Sequence, residues 1–423
     1  MAMRILVVGG GGREHALLWK LAKSPIVSSL LCAPGNAGTS ELAENLPIRV
    51  NDIDGMVNAA TERAAGLVVV GPEEPLSLGL ADRLRETGIP VFGNSQAATR
   101  IESSKAFSKE IMASAGILTA RATVVRDLVG GIAALSSFEV PIVIKADGLA
   151  AGKGVVVAQS RDEARMALTA FLEDQALGAA GATVVIEECL SGQEVSVLAL
   201  TDGTTVIPFS PSCDHKRIFD GDKGPNTGGM GAYSPTRALG AGALAEVQRT
   251  VLEPAVKEMA ARGAPLQGAL YAGLMMTPDG PKVLEFNARL GDPETQVVLP
   301  LLDGDLAELC LAVANGTLGN VPPVSVANES AVAVVIASGG YPGPIQSGEP
   351  IGGLDDVPED VLVFHAGTRR TDHGRVVTAG GRVLNVVGFG ADLASARERA
   401  YAGVDRISFA GAQLRRDIGS REL

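Results

Sequence analysis

Continuous apolar runs alternate with helix-spaced segments through the first hundred residues. The apolar runs lie at 4–9, 27–33, 66–71 and 89–93, and polar–apolar segments with helical spacing separate them. Strands that are apolar along their whole length are buried on both faces, as in a parallel sheet covered by helices. Loops rich in glycine or proline follow the strands, where open α/β sheets bind ligands. The pattern therefore predicts an N-terminal α/β domain with a parallel sheet covered by helices on both faces.

The pattern changes after residue 100. Residues 103–116 have helical spacing and end at Gly116, a residue suited to closing a helix. From 121 to 200 the predicted strands are shorter and surround one helix, and from 200 to 325 strands, loops and helices mix. The last unit, from about 326 to 423, is predicted to be a small α+β domain. The predicted fold class is therefore α/β together with α+β, in several domains.

Composition narrows the possible functions. The chain carries 48 acidic and 36 basic residues, a net charge of −12, so no basic face is available for nucleic acid or an anionic membrane. No apolar run approaches the ~18 residues of a membrane helix, and the N-terminal run is too short for a signal peptide. The four cysteines form no C-x-x-C pair and are expected as free thiols. We therefore expect a cytoplasmic protein without nucleic-acid or membrane partners.

The stretch VIKADGLAAGKGVVVA, residues 143–158, places lysines and glycines between two apolar runs. It fails as a Walker A loop, because the spacing is one residue short, Gly154 replaces the hydroxyl and a strand follows. A hairpin fits better, since bare backbone at Gly152 and Gly154 can approach phosphate oxygens. Lys145 and Lys153 would supply positive charge. From this stretch alone, a flexible solvated hairpin tip remains the alternative.

The first loop, VVGGGGREH, resembles a dinucleotide fingerprint without matching it. Glu14 or His15 stands where the third glycine is required, depending on which glycine is counted first. The second strand, SLLCAPG, also lacks the acidic residue that holds a ribose hydroxyl. A nicotinamide or flavin oxidoreductase is therefore disfavoured.

Residues 184–200 read as two strands joined by Leu-Ser-Gly-Gln. Glu187 and Glu188 end the first strand, and Glu194 opens the second. An apolar slot with free backbone groups suits adenine, and a nearby acidic side chain suits ribose hydroxyls. Charged residues that face water at a sheet edge are the alternative for Glu187.

Two further strands, joined by Thr-Pro-Asp-Gly, carry the sharpest pattern. Alternation predicts Glu285, Asn287 and Arg289 on one face, with Leu284 and Phe286 on the other. Neighbours two apart on a face are separated by roughly 7 Å, a span that one Mg²⁺ can bridge with water and phosphate completing its shell. The arginine can clamp a phosphate or carboxylate. A half-exposed strand with a polar face is the alternative.

Residues 214–235 contain few apolar side chains and are predicted to form a long loop, which in a compact domain is usually functional. Asp214 and Lys216 supply charge, and Gly228 and Gly229 would let backbone lie against a small substrate. His215 is expected as a hydrogen-bonding group more than as a general base. No histidine in the sequence has zinc-site spacing.

These parts suit phosphoryl transfer, in which positioning and charge neutralisation do most of the work. At this point the chain resembles the glycinamide ribonucleotide synthetase family of the ATP-grasp superfamily. The matching stretches run from the first strand into the C-terminal unit, and are GGREHAL, APGNAG, VGPEEPL, SKAFSK, PIVIKADGLAAGKGV, DHKR, GPNTGGMGAYSP, LYAGLM, EFNARLGDPETQ, ASGGYPG and VFHAGT. Leu290, where an aromatic is usual, and the Gly9–Gly12 run depart from the family pattern.

The resemblance implies an architecture and a reaction. Two β-layers would sandwich ATP, with a Rossmann-like domain at 1–100, a linking helix at 101–120, a lid at 121–190, a core domain at 191–325 and a C-terminal α+β domain at 326–423. ATP would phosphorylate glycine, and the amino group of 5-phosphoribosylamine would displace phosphate from glycyl phosphate. The product, glycinamide ribonucleotide, belongs to de novo purine synthesis. We expect a monomer with these small-molecule substrates.

The resemblance also implies roles for particular residues. The ATP site would consist of Lys105, Lys145, Gly152, Lys153, Gly154, Glu187, Glu188, Leu190 and Glu194. Mg²⁺ or Mn²⁺ would be bound by Glu285 and Asn287. The residues that line the glycine and phosphoribosylamine sites would be Gly10, Gly11, Gly12, Arg13, Gly35, Asn36, Gly38, Asp214, Lys216, Pro225, Asn226, Thr227, Gly228, Gly229 and Arg289. Lys145, Asp214 and Arg289 are the expected catalytic residues.

Two classes of protein remain as rivals. Another ATP-grasp carboxylate–amine ligase or a biotin-dependent carboxylase would share this architecture, and would differ in the substrates that ADP release requires. A non-catalytic nucleotide-binding regulator would tolerate loss of the metal ligands, whereas Glu285 and Asn287 are both present.

Overall fold

The computed structural model of the chain describes residues 2–149 and 154–423. Its N-terminal sheet is parallel, in the order β3-β2-β1-β4-β5, as predicted. Alternate residues of β1 pack against helices on opposite faces, which explains why the strand is apolar throughout. The elements are β1 Met3–Gly9, α1 Gly12–Leu21, β2 Val27–Pro34, β3 Glu44–Asn45, α2 Ile53–Glu62, β4 Leu67–Val70, α3 Glu73–Ser77, α4 Leu80–Glu86 and β5 Val91–Phe92.

Two helices, α5 Gln96–Ser103 and α6 Lys105–Ala115, connect this domain to the rest of the chain. Ser104 separates them and caps α6, since its hydroxyl accepts a hydrogen bond from the Phe107 N–H at 3.1 Å. The helix ends at Gly116, which has a φ of +67° and closes it in the left-handed conformation, as the sequence predicted.

A small antiparallel sheet follows, in the order β6-β9-β7-β8, and we refer to residues 122–188 as the lid. Two helices cover one face, and the apolar residues between them form a core of their own. The elements of the lid are β6 Ala122–Val125, α7 Leu128–Ala134, β7 Ile142–Ala146, β8 Val155–Ala158, α8 Arg161–Leu172 and β9 Val184–Glu188.

The middle of the chain builds a second antiparallel sheet, in the order β11-β10-β16-β17, and we call it the core sheet. A π-helical stretch, Gln248–Leu252, joins two of its helices. The elements are β10 Gln193–Thr201, β11 Val206–Pro208, β12 Cys213–Asp214, β13 Arg217–Phe219, β14 Lys223–Asn226, β15 Gly231–Ser234, α9 Ala241–Val247, α10 Glu253–Ala261, β16 Gly268–Thr277, β17 Gly280–Asn287, α11 Thr295–Leu301, β18 Leu302–Asp303, α12 Leu306–Ala314 and β19 Ser325–Val326.

The register of β17 corrects one detail of the predicted alternation. Glu285 pairs with Gly273 and Val283 pairs with Leu274, so Leu284 is an extra residue in a β-bulge. It is half-buried and lines the cleft described below, whereas Val283 and Phe286 are buried. The bulge therefore takes Leu284 off the core face that the sequence predicted for it.

The segment 213–234 is not the long irregular loop that its composition predicted. It folds into four short strands, of which β13 and β14 form a hairpin and β12 pairs with β15. β15 in turn pairs with β20, so the final sheet runs β12-β15-β20-β24-β21 and joins the middle of the chain to its C-terminal part. The C-terminal elements are β20 Ser330–Ala337, β21 Leu362–His365, β22 Thr368–Arg370, β23 Val376–Thr378, β24 Arg382–Gly390 and α13 Leu393–Val404.

Two hydrophobic clusters cross the expected domain boundaries. One cluster joins Ile5 of the N-terminal sheet, Leu198 of the core sheet, Leu299 of α11 and Val387 of β24. The core of the lid, by contrast, draws its buried members from residues 125–186 alone. In the described parts of the chain, every helix is too short or too polar to cross a bilayer.

Candidate functional site

A cleft of about 440 Å³ lies between the lid and the core sheet. Apolar side chains from both sides line a slot within it, Val143 and Val157 from the lid and Met275 and Phe286 from the core sheet. Charged side chains surround this apolar slot. Such a slot, with polar groups at its rim, suits a planar base attached to charged groups.

Three lysines that line the cleft lie on β7 of the lid and on the neighbouring helix α6. We call Lys105, Lys109 and Lys145 the lysine bank; the first two lie one turn apart on α6, and the third is on β7. Lys105 Nζ donates to the Gly148 carbonyl at 3.3 Å, and Lys145 Nζ donates to the Leu284 carbonyl at 3.2 Å. Because a lysine has three donors, both retain hydrogen-bonding capacity toward the cleft.

Glu187 holds two of these lysines together. Its Oε1 lies 2.9 Å from Lys109 Nζ and its Oε2 lies 2.7 Å from Lys145 Nζ, while only 2% of the residue is exposed. Burial lowers the pKa of Lys109, and Glu187 opposes that shift. The carboxylate is therefore neither a charge facing water nor a free ribose ligand. It orients the lysine bank by a buried, shared ion pair.

Asp147 fastens the end of β7 to the start of α6. Its carboxylate accepts hydrogen bonds from the Ala106 N–H at 2.7 Å and from the Ser104 hydroxyl at 3.1 Å. An acidic side chain at a helix N-terminus is favoured by the helix dipole. Burial lowers the pKa of the adjacent Lys105, with Glu285 opposing and Lys145 adding to the shift. The lid and the helix therefore present their lysines as one unit.

The opposite side of the cleft carries an excess of acids. We call Glu194, Asp214, Glu285 and Glu294 the acid bank; all four line the cleft. Burial would raise the pKa of Glu285, but lysines from both sides, led by Lys216, hold it below its ordinary value. Glu285 is therefore ionised, and Asn287 lies two residues on along the same rim.

The predicted metal ligands fit a hard divalent cation. Carboxylate and amide oxygens at neighbouring positions suit Mg²⁺, which usually takes few protein ligands and completes its shell with water and phosphate. Among the described residues, no group of three or more His, Cys, Asp or Glu side chains is arranged as a metal-ligand cluster. A cation at Glu285 and Asn287 would therefore depend on oxygens from a bound substrate.

Asp214 and Lys216 stand close to the acids of the core sheet. Lys216 Nζ lies 2.9 Å from Glu194 Oε2. Burial raises the pKa of Asp214 to about 7; Lys216 opposes the shift, and Glu294 adds to it. Burial would lower the pKa of Lys216, but Asp214 and Glu194 hold it well above its ordinary value. This part of the cleft is short of positive charge.

Glu294 belongs to a buried hydrogen-bond network. Its Oε1 accepts from the Ser196 hydroxyl at 3.1 Å, and Ser196 shares a hydrogen bond of 2.8 Å with the Tyr271 hydroxyl. Only 4% of Glu294 is exposed, although it lines the cleft. The network fixes the carboxylate in position on the floor of the cleft.

Arg289 is held between two acids instead of projecting freely. Its Nε donates to Glu73 at 3.2 Å, and its Nη2 lies 3.1 Å from Glu102. Burial would lower the pKa of Arg289, but these two carboxylates keep it above its ordinary value. Glu102 also accepts the Ala288 N–H at 2.7 Å. The arginine lines the cleft with a fixed orientation.

The glycine-rich loops of the N-terminal sheet lie beside the cleft and do not line it. Arg13 is buried and donates to Glu14 at 2.6 Å and to the Leu290 carbonyl at 3.0 Å. Asn36 donates to the Gly10 carbonyl at 3.0 Å and to the His365 carbonyl at 2.8 Å, so it joins the N-terminal loop to the C-terminal part. A Cβ on Gly11 would lie 3.3 Å from Asp292, a residue of the cleft. These loops border one end of the cleft.

The structure brings most of the predicted site residues into one cleft. Gly152 and Lys153 lie outside the described residues, and Gly10, Gly11, Gly12, Arg13, Gly35, Asn36, Gly38, Pro225 and Gly229 do not line the cleft. The predicted residues that do line it are Lys105, Lys145, Gly154, Glu187, Glu188, Leu190, Glu194, Asp214, Lys216, Asn226, Thr227, Gly228, Glu285, Asn287 and Arg289.

Sequence reasoning missed several residues of the cleft, above all Lys109, Glu73, Glu102, Asp292 and Glu294. Lys109 could have been found, because it stands four residues after Lys105 and therefore on the same face of α6. No local sequence pattern indicates the partners of Arg289, since Glu73 and Glu102 both lie more than 180 residues away from it in the chain.

Family models match almost the whole chain in order. Models described as phosphoribosylglycinamide synthetase N domain, ATP-grasp (A) domain and C domain match residues 3–102, 103–295 and 331–421. A phosphoribosylamine–glycine ligase from Nostoc sp. is 50% identical, over 99% of each chain.

Solved structures agree with this match. The crystal structure of a phosphoribosylamine–glycine ligase from Thermotoga maritima has a TM-score of 0.87 at 34% identity and covers 98% of this chain and 100% of that one. The biotin carboxylase domain of a Hydrogenobacter thermophilus 2-oxoglutarate carboxylase, solved with MgADP and bicarbonate, has a TM-score of 0.76. At 16% identity, with 98% and 92% of the two chains covered, that second likeness shows the ATP-grasp fold alone.

Proposed function

Because the chain belongs to the phosphoribosylglycinamide synthetase family, we propose that it joins glycine to 5-phosphoribosylamine at the expense of ATP. The products are glycinamide ribonucleotide, ADP and phosphate, and the reaction belongs to purine biosynthesis. Matches to all three domains of the family support this activity. The observation that carries it within the molecule is the cleft itself, in which a lysine bank faces an acid bank across an apolar slot.

ATP occupies the slot between the lid and the core sheet. Apolar residues on both sides enclose the adenine, the backbone around Glu188 and Leu190 supplies its polar contacts, and Glu194 lies near the ribose. Lys105 and Lys145 bind the phosphates with the donors that the protein leaves unused. Gly154 also lines the cleft, at the end of the predicted hairpin tip.

Glu285 and Asn287 hold Mg²⁺ or Mn²⁺, because they offer one ionised carboxylate and one amide oxygen beside the phosphates. When bound, such a cation neutralises charge on the phosphates and helps to fix their orientation. A relative by fold was solved with MgADP, which supports magnesium as the first cation to test.

The reaction then has two steps. A carboxylate oxygen of glycine attacks the γ-phosphorus of ATP, the bond to the β-phosphate oxygen breaks, and ADP leaves with that electron pair. The amino nitrogen of phosphoribosylamine attacks the acyl carbon, the carbon–oxygen bond to phosphate breaks, and the nitrogen loses a proton. Both steps depend on positioning and charge neutralisation more than on a nucleophilic side chain.

Residues of the acid bank receive the amino group of glycine. Asp214 is the best placed, because burial and the neighbouring Glu294 outweigh Lys216 and leave its pKa raised to about 7. An ammonium group would restore its ionised form and relieve that repulsion. Arg289, oriented by Glu73 and Glu102, and the backbone around Thr227 and Gly228 form the adjoining wall, toward the N-terminal loops that face phosphoribosylamine.

Coupled measurement of ADP release, with each substrate omitted in turn, tests this activity. Full turnover should require ATP, glycine and phosphoribosylamine together. Release that depends on bicarbonate, or that continues without glycine, would instead favour another ATP-grasp ligase or a carboxylase. We further propose that the enzyme acts in the cytoplasm as a monomer, with small molecules as its partners and neither nucleic acid nor membrane among them.

A further inference from the structure

The last residues of the chain fold back onto the segment that carries Asp214 and Lys216. We call residues 415–422 the C-terminal tail. Its Arg415 is completely buried, which is uncommon for an arginine. A buried guanidinium needs ion-pair and hydrogen-bond partners to offset the loss of water. Those partners lie in the β13–β14 hairpin, some 190 residues earlier in the chain.

Arg415 joins the tail to this hairpin. Its Nη1 donates to Asp222 at 2.9 Å and to the Arg217 carbonyl at 3.1 Å. Its Nε and Nη2 each donate to Asp417 at 2.7 Å, in a forked arrangement that fixes the guanidinium plane. Arg415 therefore links Asp417 of the tail to β13 and to the turn of the hairpin.

Backbone groups extend the same contact. Asp417 accepts the Gly221 N–H at 2.8 Å, and the Arg416 N–H donates to Asp220 at 2.8 Å. Gly419 donates its N–H to His215 Nε2 at 3.2 Å. Burial and the neighbouring Arg415 lower the pKa of His215 to about 3, so the imidazole is neutral and able to accept this bond. His215 stands directly between Asp214 and Lys216.

Glu422 makes a second attachment, to residues of β10 and to residues at and just after β15. It accepts from Gln193 Nε2 at 2.9 Å, from the Tyr233 hydroxyl at 3.0 Å and from the Arg237 N–H at 2.7 Å. The Thr236 hydroxyl donates to the same carboxylate. Glu422 thus ties β10, which carries Glu194, to β15.

Gly228, which follows the β13–β14 hairpin, is fixed by residues outside the tail. The Gly228 N–H donates to the Tyr341 hydroxyl at 3.0 Å, and the Gly228 carbonyl accepts from Arg382 at 2.6 Å. Thr227 is held through its N–H to the Lys216 carbonyl at 2.7 Å. The tail therefore supplies the attachment nearest to Asp214 and Lys216, and the C-terminal sheet supplies the attachment nearest to Gly228.

We propose that the C-terminal tail is a positioning element of the glycine site, acting through His215 and the β13–β14 hairpin to hold Asp214 and Lys216 in the cleft. This role rests on the proposed function only for the identity of the substrate. Arg415 and Glu422 are positioning residues, since neither lines the cleft. The ATP slot lies between the lid and the core sheet, and the bonds above join the tail to this sheet at Gln193, the first residue of β10, and not to the lid.

The test compares three single substitutions. Arg415→Lys keeps the charge and loses the planar fork, and Glu422→Gln keeps the shape and loses the charge that four donors share. Arg416→Ala is the matched control, because its side chain contacts Asp405 and the Tyr401 ring, and its N–H to Asp220 survives. Michaelis constants for glycine and ATP are measured for each, with amide hydrogen exchange of residues 214–230.

We expect Arg415→Lys and Glu422→Gln to raise KM for glycine about tenfold, to leave KM for ATP within twofold and to accelerate exchange at 214–230. The control should change none of these. Equal rises in both Michaelis constants, or unchanged exchange at 214–230, would overturn the positioning role. Hydrogen exchange requires no turnover, so it tests the positioning role of the tail independently of activity. Absence of glycine-dependent ADP release by the wild-type protein would count against the proposed function and not against the positioning role.

Discussion

The two sides of the cleft differ both in charge and in what holds the charge in place. The lysine bank is arranged by one buried acid, Glu187, which is shared between two lysines. In the acid bank, Lys216 lies 2.9 Å from Glu194 and leads the lysines that hold the pKa of Glu285 down, whereas burial and neighbouring carboxylates raise the pKa of Asp214. The lid side is therefore complete as folded, and the floor side is incomplete.

This difference indicates which ligand belongs to each side. A triphosphate brings negative charge, which the lysine bank can accept without rearrangement. A divalent cation and an ammonium group bring positive charge, which the acid bank lacks. Substitutions on the two sides should therefore fail differently: those on the floor should affect turnover and its pH dependence, and those in the lid should affect ATP binding and stability.

The largest effect is expected for Glu285→Ala. Loss of the ionised metal ligand should lower kcat by at least about 100-fold, equivalent to about 2.7 kcal/mol in the activation barrier. Stability should be preserved, because the side chain is only half-buried at the rim of β17. Steady-state ADP release and thermal unfolding measure the two properties.

Asp279→Ala is the control for that substitution. Asp279 lies in the turn before β17, and its side chain is 82% exposed, so kcat should not change. Near-normal turnover of Glu285→Ala at ordinary magnesium concentrations would contradict the metal assignment and remove the main reason for calling the floor incomplete.

The second effect concerns the lid. Glu187→Gln should leave two lysines without their buried counter-charge, and should lower the free energy of unfolding by about 3 kcal/mol. KM for ATP should rise at least tenfold while KM for glycine changes little. Urea unfolding and steady-state kinetics check these outcomes. Glu139→Gln, an exposed position on the same lid, should alter neither quantity.

An equal rise in the Michaelis constants for ATP and glycine would break the proposed division between the two sides. Unchanged stability would show that Lys109 and Lys145 do not need Glu187 as a counter-charge.

The third effect is on pH dependence. The pKa of Asp214 is raised to about 7 in the folded state, so between about pH 4 and pH 7 the folded chain binds the proton that the unfolded chain releases. Asp214 therefore destabilises the fold increasingly as pH rises through this range. Asp214→Asn should be more stable than wild type, with an advantage that grows by about 2–3 kcal/mol between pH 5 and pH 8.

Asp202→Asn provides a comparison of opposite sign in the same urea-unfolding series. Burial would raise the pKa of Asp202, but hydrogen bonds from the Thr204, Thr205 and Leu318 N–H groups lower it. Its charge therefore stabilises the fold above about pH 4, and Asp202→Asn should lose stability at neutral pH and less in acid. Parallel pH curves for wild type and Asp214→Asn would contradict the raised pKa of Asp214.

The smallest effect is expected one residue away from Glu187. Glu188 points toward Arg121, with a distance of 3.9 Å between charged atoms, and both side chains are more than one-third exposed. Glu188→Gln should therefore change the free energy of unfolding by less than about 1 kcal/mol. KM for ATP should remain within twofold, because we propose that the backbone at this position, and not the side chain, contacts the adenine. A tenfold rise in KM for ATP would show that the side chain itself contributes.

Local patterns predicted much of the fold. The apolar runs of the N-terminal domain, the close of α6 at Gly116, and the hairpin that carries Glu285 all depend on residues near one another in the chain. Recurring spacing is sufficient for such features, because strands and helices impose periods of two and 3.6 residues. The chemistry of the cleft, with its lysines and its carboxylate–amide pair, followed from the same local patterns.

Long-range pairing could not be predicted in this way. The β-bulge at Leu284 depends on the register against β16, and the ordered strands of 213–234 depend on β20, a hundred residues later. The buried ion pair of Glu187 with Lys109 likewise joins residues that no periodicity relates. The sequence therefore predicts Glu187 as part of the ATP site or as a charge facing water, whereas the fold uses its side chain to orient lysines.

The distribution of the hydrophobic cores has a practical consequence for redesign of the enzyme. The lid encloses its own core between residues 125 and 186, whereas the N-terminal sheet shares one with α11 and β24. A lid from a relative with another nucleotide preference can therefore be grafted in its place without opening a second interior. Transplanting the N-terminal hundred residues would instead cut through the cluster that the N-terminal sheet shares with the core sheet, α11 and β24.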